Sequence, residues 1–246
     1  MPCALSLVVQ SALIAHVLRT GRPYYWIFII MLPGIGALAY IIAELMPAFF
    51  GSVQGRRTLR GVRKALDPTG DLRQRKREHQ VSGSVDATRH LANELIENGQ
   101  YEEAISHYEQ ALTGLYERDP DLLLGLATAQ FANGQFEQAR DTLDLLIEHN
   151  PDYKSPDGHL IYARATEACG DDDTALGEYN AVSAYYAGAE ARLRYGLLLE
   201  KLGDTDKALE QFREIVTAAE LAPGHFRKAQ REWIAEANDG ITRLTG

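Results

Sequence analysis

Few residues in this sequence can carry chemistry. It has only two cysteines, Cys3 and Cys169. One opens an apolar segment and the other sits deep in the polar half, so a disulfide or a thiolate metal site is not expected. Seven histidines are scattered at 16, 79, 90, 107, 149, 159 and 225, without metal-ligand spacing. HExxH, P-loop, GxSxG and GxGxxG motifs are all missing. The expectation is a protein that is not an enzyme and has no cofactor or metal. The Asp171-Asp172-Asp173 run reads as acidic residues near a helix N-terminus, where the helix dipole favours negative charge. The tyrosines fall at packing positions, and His107 and His149 are expected to face solvent.

Positive charge is also scarce over most of the chain. Residues 86–246 hold 14 Lys+Arg against 30 Asp+Glu, a net of −16, whereas residues 1–85 hold 11 against 4, a net of +7. The acidic part excludes nucleic acid as an expected partner, because phosphate binding needs clustered Lys and Arg. The basic excess follows an apolar segment and points to a membrane surface.

Charge vanishes altogether from Tyr24 to Ala43, 20 residues that would span about 30 Å as a helix. Tyr24, Tyr25 and Trp26 mark an interfacial end, and Pro33-Gly34 falls mid-span. Ala4 to Leu18 is shorter and interrupted by Gln10, Ser11 and His16. It reads as a first span, an interfacial helix or a signal-like segment, and a helical hairpin through an Arg19–Pro23 turn is favoured. The bilayer contact is placed at residues 4–50. Arg56, Arg57, Arg60, Arg63 and Lys64 follow as a basic membrane flank, with a second cluster at Arg73, Arg75, Lys76 and Arg77. The positive-inside rule puts this flank in the cytoplasm of a bacterial inner membrane, nine basic residues outweighing the two between the spans.

Trp26…Leu32-Pro33-Gly34-Ile35-Gly36…Tyr40 resembles the N-terminal membrane segment of cardiolipin synthases and related phospholipase D proteins. The resemblance covers about 45 residues and ends there. No histidine has a lysine two residues later, as the catalytic signature of that family requires.

Beyond a linker over 65–85, a period appears. NGQYEEA, NGQFEQA, CGDDDTA and LGDTDKA each place a glycine five residues before an alanine. The glycines, Gly99, Gly134, Gly170 and Gly203, are 35, 36 and 33 residues apart. Seven positions earlier stand the small residues Ala92, Ala127, Ala163 and Gly196, where paired helices must approach closely. Nine positions later stand Tyr108, Leu143, Tyr179 and Phe212, large enough to fill the gap toward the next pair. A repeat of this length is the mark of a helix-pair array.

The pattern resembles the tetratricopeptide repeat over residues 86 to about 220. The implied fold is all-α: a transmembrane hairpin (1–50), a basic juxtamembrane helix and linker (51–85), and a solenoid of four helix pairs with a C-terminal cap (86–246). The first repeat's second helix is expected to run one turn long. Phe226, Trp233, Ile234, Ala237 and Ile241 are expected on one stripe of the cap. The resemblance also implies a concave partner groove lined by Arg89, Asn93, Leu124, Thr128, Phe131, Leu160, Arg164, Glu167, Leu197 and Glu200. Arg89, Asn93 and Arg164 resemble three of the five positions of the family's carboxylate-clamp subset, while Thr128 and Leu160 depart from it. The expected function is a membrane-anchored scaffold or adaptor that binds a protein or peptide. The alternative is an accessory or regulatory subunit of a phospholipid or cell-envelope assembly enzyme. The sequence does not fix the oligomeric state.

Overall fold

The computed structural model describes residues 2–20, 25–32, 40, 67 and 69–246. The chain divides into two compact units, Met1–Gly70 and Asp71–Gly246. Every regular element among the described residues is helical.

In the first unit α1 (Pro2–Thr20) and α2 (Tyr25–Ile30) pack through Val17, Trp26 and Ile30, with Tyr40 beside them. Polar groups point inward. Gln10 Nε2 donates to the Ile30 carbonyl at 3.1 Å, and His16 Nδ1 lies 3.0 Å from the Tyr40 hydroxyl. Large apolar side chains point outward: Phe28 is 74% exposed, and Leu18, Met31 and Leu32 are exposed too. Among the described residues no helix is long and apolar enough to cross a membrane. The expected second span lies largely outside the described residues, as does the basic flank Arg56 to Lys64.

The second unit is a solenoid of four antiparallel pairs. These are α4 (Val85–Glu97) with α5 (Tyr101–Ala111), α6 (Pro120–Ala132) with α7 (Phe136–His149), α8 (Pro156–Ala168) with α9 (Asp172–Ser183), and α10 (Glu190–Lys201) with α11 (Thr205–Leu221). Local signals start the helices. Ser84, Asp119, Ser155, Asp171 and Asp204 each accept a hydrogen bond from a first-turn amide, satisfying a donor the helix leaves open. Pro120 and Pro156 stand in the first turns of α6 and α8. The four turn glycines end the first helix of each pair with φ between +74° and +86°, backbone that side-chain-bearing residues avoid.

Close approach follows the small-residue frame. A Cβ on Gly196 would stand 2.6 Å from Phe212 Cε1, and one on Gly240 would stand 2.6 Å from Phe212 Cε2. The ring is gripped from both sides. Ala92, Ala127 and Ala163 are wholly buried, as are Tyr108, Tyr179 and Phe212.

Four expectations change. Helix α5 is not extended; Gly114, at φ +59°, turns the chain, and the additional residues form a 3-10 turn at Gly114–Tyr116. The linker over 65–85 contains a helix, α3 (Gly70–Ser82), that docks on the first pair. Its Leu72 joins the core with Leu91 and Tyr108, and its Lys76 Nζ pairs with Glu103 at 2.8 Å. His79 meets His107 edge to face, so His107 packs on α3 and is half-buried. At the far end the cap is two helices, α12 (Gly224–Ala229) and α13 (Arg231–Thr245), separated at Gln230. Trp233, Ile234, Ala237 and Ile241 pack on the last pair, while Phe226 diverges from their stripe.

Candidate functional site: the inner wall of the solenoid

The first helix of each pair carries an acid near its start: Asp86, Asp121, Asp157 and Glu190. Two of these acids, Asp121 and Glu190, tie successive repeats together along the inner wall. Arg89 of α4 donates to Asp121 of α6 at 2.9 Å and to Asp86 of its own helix at 3.2 Å. The Tyr153 hydroxyl, from the α7–α8 connection, donates to the other Asp121 oxygen at 2.9 Å. Burial and that acid push the Tyr153 phenol up to about 12.

The second half of the wall centres on Arg164. Its guanidinium lies 4.5 Å from the centroid of the Phe131 ring and 3.3 Å from Glu190. Glu190 also receives Arg194 Nε at 2.9 Å, and Arg194 faces Trp233 of α13 at 5.9 Å. Burial first, and then Arg194, pull Arg164 below its ordinary pKa. Arg164 Nε is buried without a hydrogen-bond partner, a state that folded proteins rarely tolerate. A hollow of about 630 Å³ opens beside this cluster, walled by Asp157, Tyr186, Glu190, Phe226, Gln230 and Trp233. A smaller one of about 260 Å³ lies at the other end, between Arg89, Asp86, Tyr116 and Asp121.

The structure sorts the sequence-derived groove residues. Phe131 and Arg164 meet directly. Arg89 belongs to the first ladder. Asn93 accepts the Tyr108 hydroxyl at 2.5 Å, and Glu167 accepts the Tyr179 hydroxyl at 2.7 Å. Glu200 receives Arg243 of α13 through two bonds, at 2.9 and 3.1 Å. Thr128 donates to its own helix at the Leu124 carbonyl. Leu124 and Leu197 are half-buried on the cores of the second and fourth pairs. Leu160, at 3% exposed, is a core residue and no part of the surface. Both clamp-like arginines already hold carboxylates of this chain, so an incoming carboxylate would have to displace them.

Sequence reasoning missed the four acids, Tyr153, Tyr186 and Trp233. The acids had a signal: they recur in the repeat frame. The tyrosines had none, because they lie in connections outside that frame.

A wall of this kind, built from the first helices of stacked pairs, is what tetratricopeptide families share. Two tetratricopeptide-repeat family models match here, over residues 95–165 and 163–225. Residues 95–225 are tetratricopeptide repeats. Solved structures agree on the fold of this TPR array. TTC0263, a thermophilic TPR protein of Thermus thermophilus, is 18% identical, with 70% of this chain and 89% of that chain covered and a TM-score of 0.54. YrrB, a TPR protein with an unusual peptide-binding site, is 19% identical, with 70% and 92% covered and a TM-score of 0.50. At such identities the likeness is one of fold alone. No curated protein matches the sequence.

Proposed function

We propose that this protein is a non-catalytic adaptor that seats a peptide segment of a partner protein on the inner wall of its TPR array, and that its N-terminal unit holds the array at the cytoplasmic face of a bacterial inner membrane. TPR proteins in general mediate protein–protein interaction. The observation that carries the reading here is Arg164: stacked on Phe131, sharing Glu190 with Arg194, and holding a buried donor without an acceptor beside a hollow. A peptide entering that hollow would meet Asp157, Glu190 and Trp233, the last two of which hold Arg164 and Arg194 in place. The paired acids in the ladder make a partner with exposed amides or cationic side chains a better fit than an acidic tail.

The outward apolar side chains of the first unit support membrane attachment. Polar Gln10 and His16 are bonded inward while Phe28, Met31 and Leu32 face out, a costly surface in water and a favourable one in lipid. The basic run Arg56 to Lys64 would then meet anionic headgroups.

Affinity purification in mild detergent tests both parts. The full chain is expected in the membrane fraction with its partner bound. A chain lacking residues 1–50 is expected to leave the membrane and keep the partner. Arg164→Ala is expected to stay at the membrane and lose the partner, with unchanged helical circular dichroism. A partner that needs residues 1–50 and ignores Arg164→Ala would overturn the groove reading and favour the accessory-subunit alternative. A full chain that washes out of membranes would remove the anchor.

A further inference from the structure

A second concavity adjoins the first, sharing Pro156 and Tyr185 with it, and opens toward the second helices of the pairs. It measures about 990 Å³ and shares no residue with the Arg164 cluster. Its walls are α7 and α9, and α8 forms its floor through Gly158, His159 and Tyr162. The α7–α8 connection, 150–155, lines one end of it through Tyr153, Lys154 and Ser155. His159 occupies the frame position that holds Thr88, Leu123 and Arg192 in the other repeats. His159 does not fill the core. It turns aside to Glu178, 2.6 Å away, and to the Tyr185 hydroxyl. The apolar walls are left uncovered: Ile147 is 55% exposed and Tyr185 53%.

The rim is acidic. Asp141, Asp144 and Glu148 stand on one stripe of α7, at the i, i+3, i+7 spacing that aligns side chains along a helix. Glu178 faces them from α9, and Lys154 is the one cation among the lining residues. An apolar trough with exposed Ile and Tyr walls, lined by Asp144 and Glu178 and with Asp141 and Glu148 on the same stripe of α7 as Asp144, has the chemistry of a groove for an amphipathic helix. The charge selects the sign of that helix.

We propose that this outer cleft is a second docking site, for a cationic amphipathic helix of a partner protein. Two apolar residues one turn apart enter between Ile147, Tyr162 and Tyr185. Lysines or arginines on the flanks of the same helix pair with Asp141, Asp144 and Glu148. The two grooves would let one array hold two segments at once, whether from one partner or two. Linking two weak contacts in this way multiplies affinity.

The test uses the full chain in nanodiscs of uncharged lipid. The probe is a helical peptide of about 14 residues, four turns, made of leucine and lysine and bearing one benzophenone. A leucine–glutamate peptide of the same pattern is the comparison. After irradiation, adducts are mapped on the protein by mass spectrometry. The lysine peptide is expected to label the cleft walls, and the glutamate peptide about tenfold less. Raising salt to about 0.5 M should cut the labelling severalfold, because exposed charge pairs are screened. Ile147→Glu should abolish it; Ile147 is half-exposed, so the fold should tolerate the change. Asp144→Asn with Glu148→Gln should weaken the lysine peptide alone. Arg164→Ala should leave cleft labelling unchanged, so failure of the inner-wall reading and failure of this one are separable. Equal labelling by both peptides, adducts confined to the inner wall, or a change of oligomeric state with Ile147→Glu would each overturn the assignment. The last would make the occupant a second copy of this chain.

Discussion

The Phe212 ring shows how strictly single residues set this structure. It is wholly buried, with Gly196 on one edge and Gly240 on the other. A side chain at either glycine would drive into the ring, and overpacking of this kind costs about 1–3 kcal/mol. Gly240→Val is therefore expected to lower the midpoint of thermal unfolding by several degrees, and Phe212→Leu placed with it should restore part of the loss. Calorimetry of the two variants checks this. The frame made Gly196 and Phe212 legible in the sequence. Gly240 was not legible, since it lies in the cap, beyond the period. The same division runs through the inner wall. Arg89, Phe131 and Arg164 stand in the frame counted from the glycines, and so do the acids Asp121 and Glu190. Which acid meets which arginine is not legible, because contacts between repeats depend on how the pairs stack. Leu160 was misplaced for a related reason: one position's exposure depends on whether its neighbours close over it.

At the scale of elements, helix α3 is the least legible piece. Its sequence, GDLRQRKREHQVS, has one buried residue, Leu72, and no apolar stripe. It docks through that leucine, the Lys76–Glu103 pair and the contact between His79 and His107. Those terms are small and exposed pairs contribute little, so α3 is expected to be the first part of the array to open. It should also respond to pH. Burial, and then His79, hold the His107 imidazole below its ordinary value of 6.5. A histidine that resists protonation when docked supports docking above that value, and the support is lost as pH falls through 6.5. Hydrogen exchange at about pH 7.5 and about pH 5.5, corrected for intrinsic rates, is expected to show α3 losing protection at the lower pH while α10 and α11 keep theirs. His107→Gln should remove most of that difference. Equal protection at both values would mean that the histidine pair does not govern docking.

The other end of the array behaves differently. Helix α13 covers Phe212, Ile215 and Leu199 with Trp233, Ile234 and Ile241. An array closes its last pair with such an element because the apolar face is otherwise bare. A chain ending at residue 222 is expected to aggregate or to unfold less cooperatively, as seen by light scattering and circular dichroism. The cap helix was legible from its stripe. The break at Gln230, which frees Phe226 to wall the inner hollow, was not legible, because no proline or glycine marks it.

The whole molecule joins an N-terminal unit with an outward apolar surface to an acidic solenoid whose inner wall is stitched by charges. The wall presents charged, hydrogen-bonding and aromatic groups along the first helices of the pairs. The central claim is that the inner wall receives a polypeptide. The measurement that tests it most directly is photocrosslinking in living cells, with a benzophenone amino acid at the exposed Asp157 of the inner hollow or at Gln110 on the exposed outer surface. A discrete adduct from Asp157 that disappears with Arg164→Ala, and none from Gln110, is the expected result. No adduct from Asp157, or the same adduct from both positions, would contradict the claim.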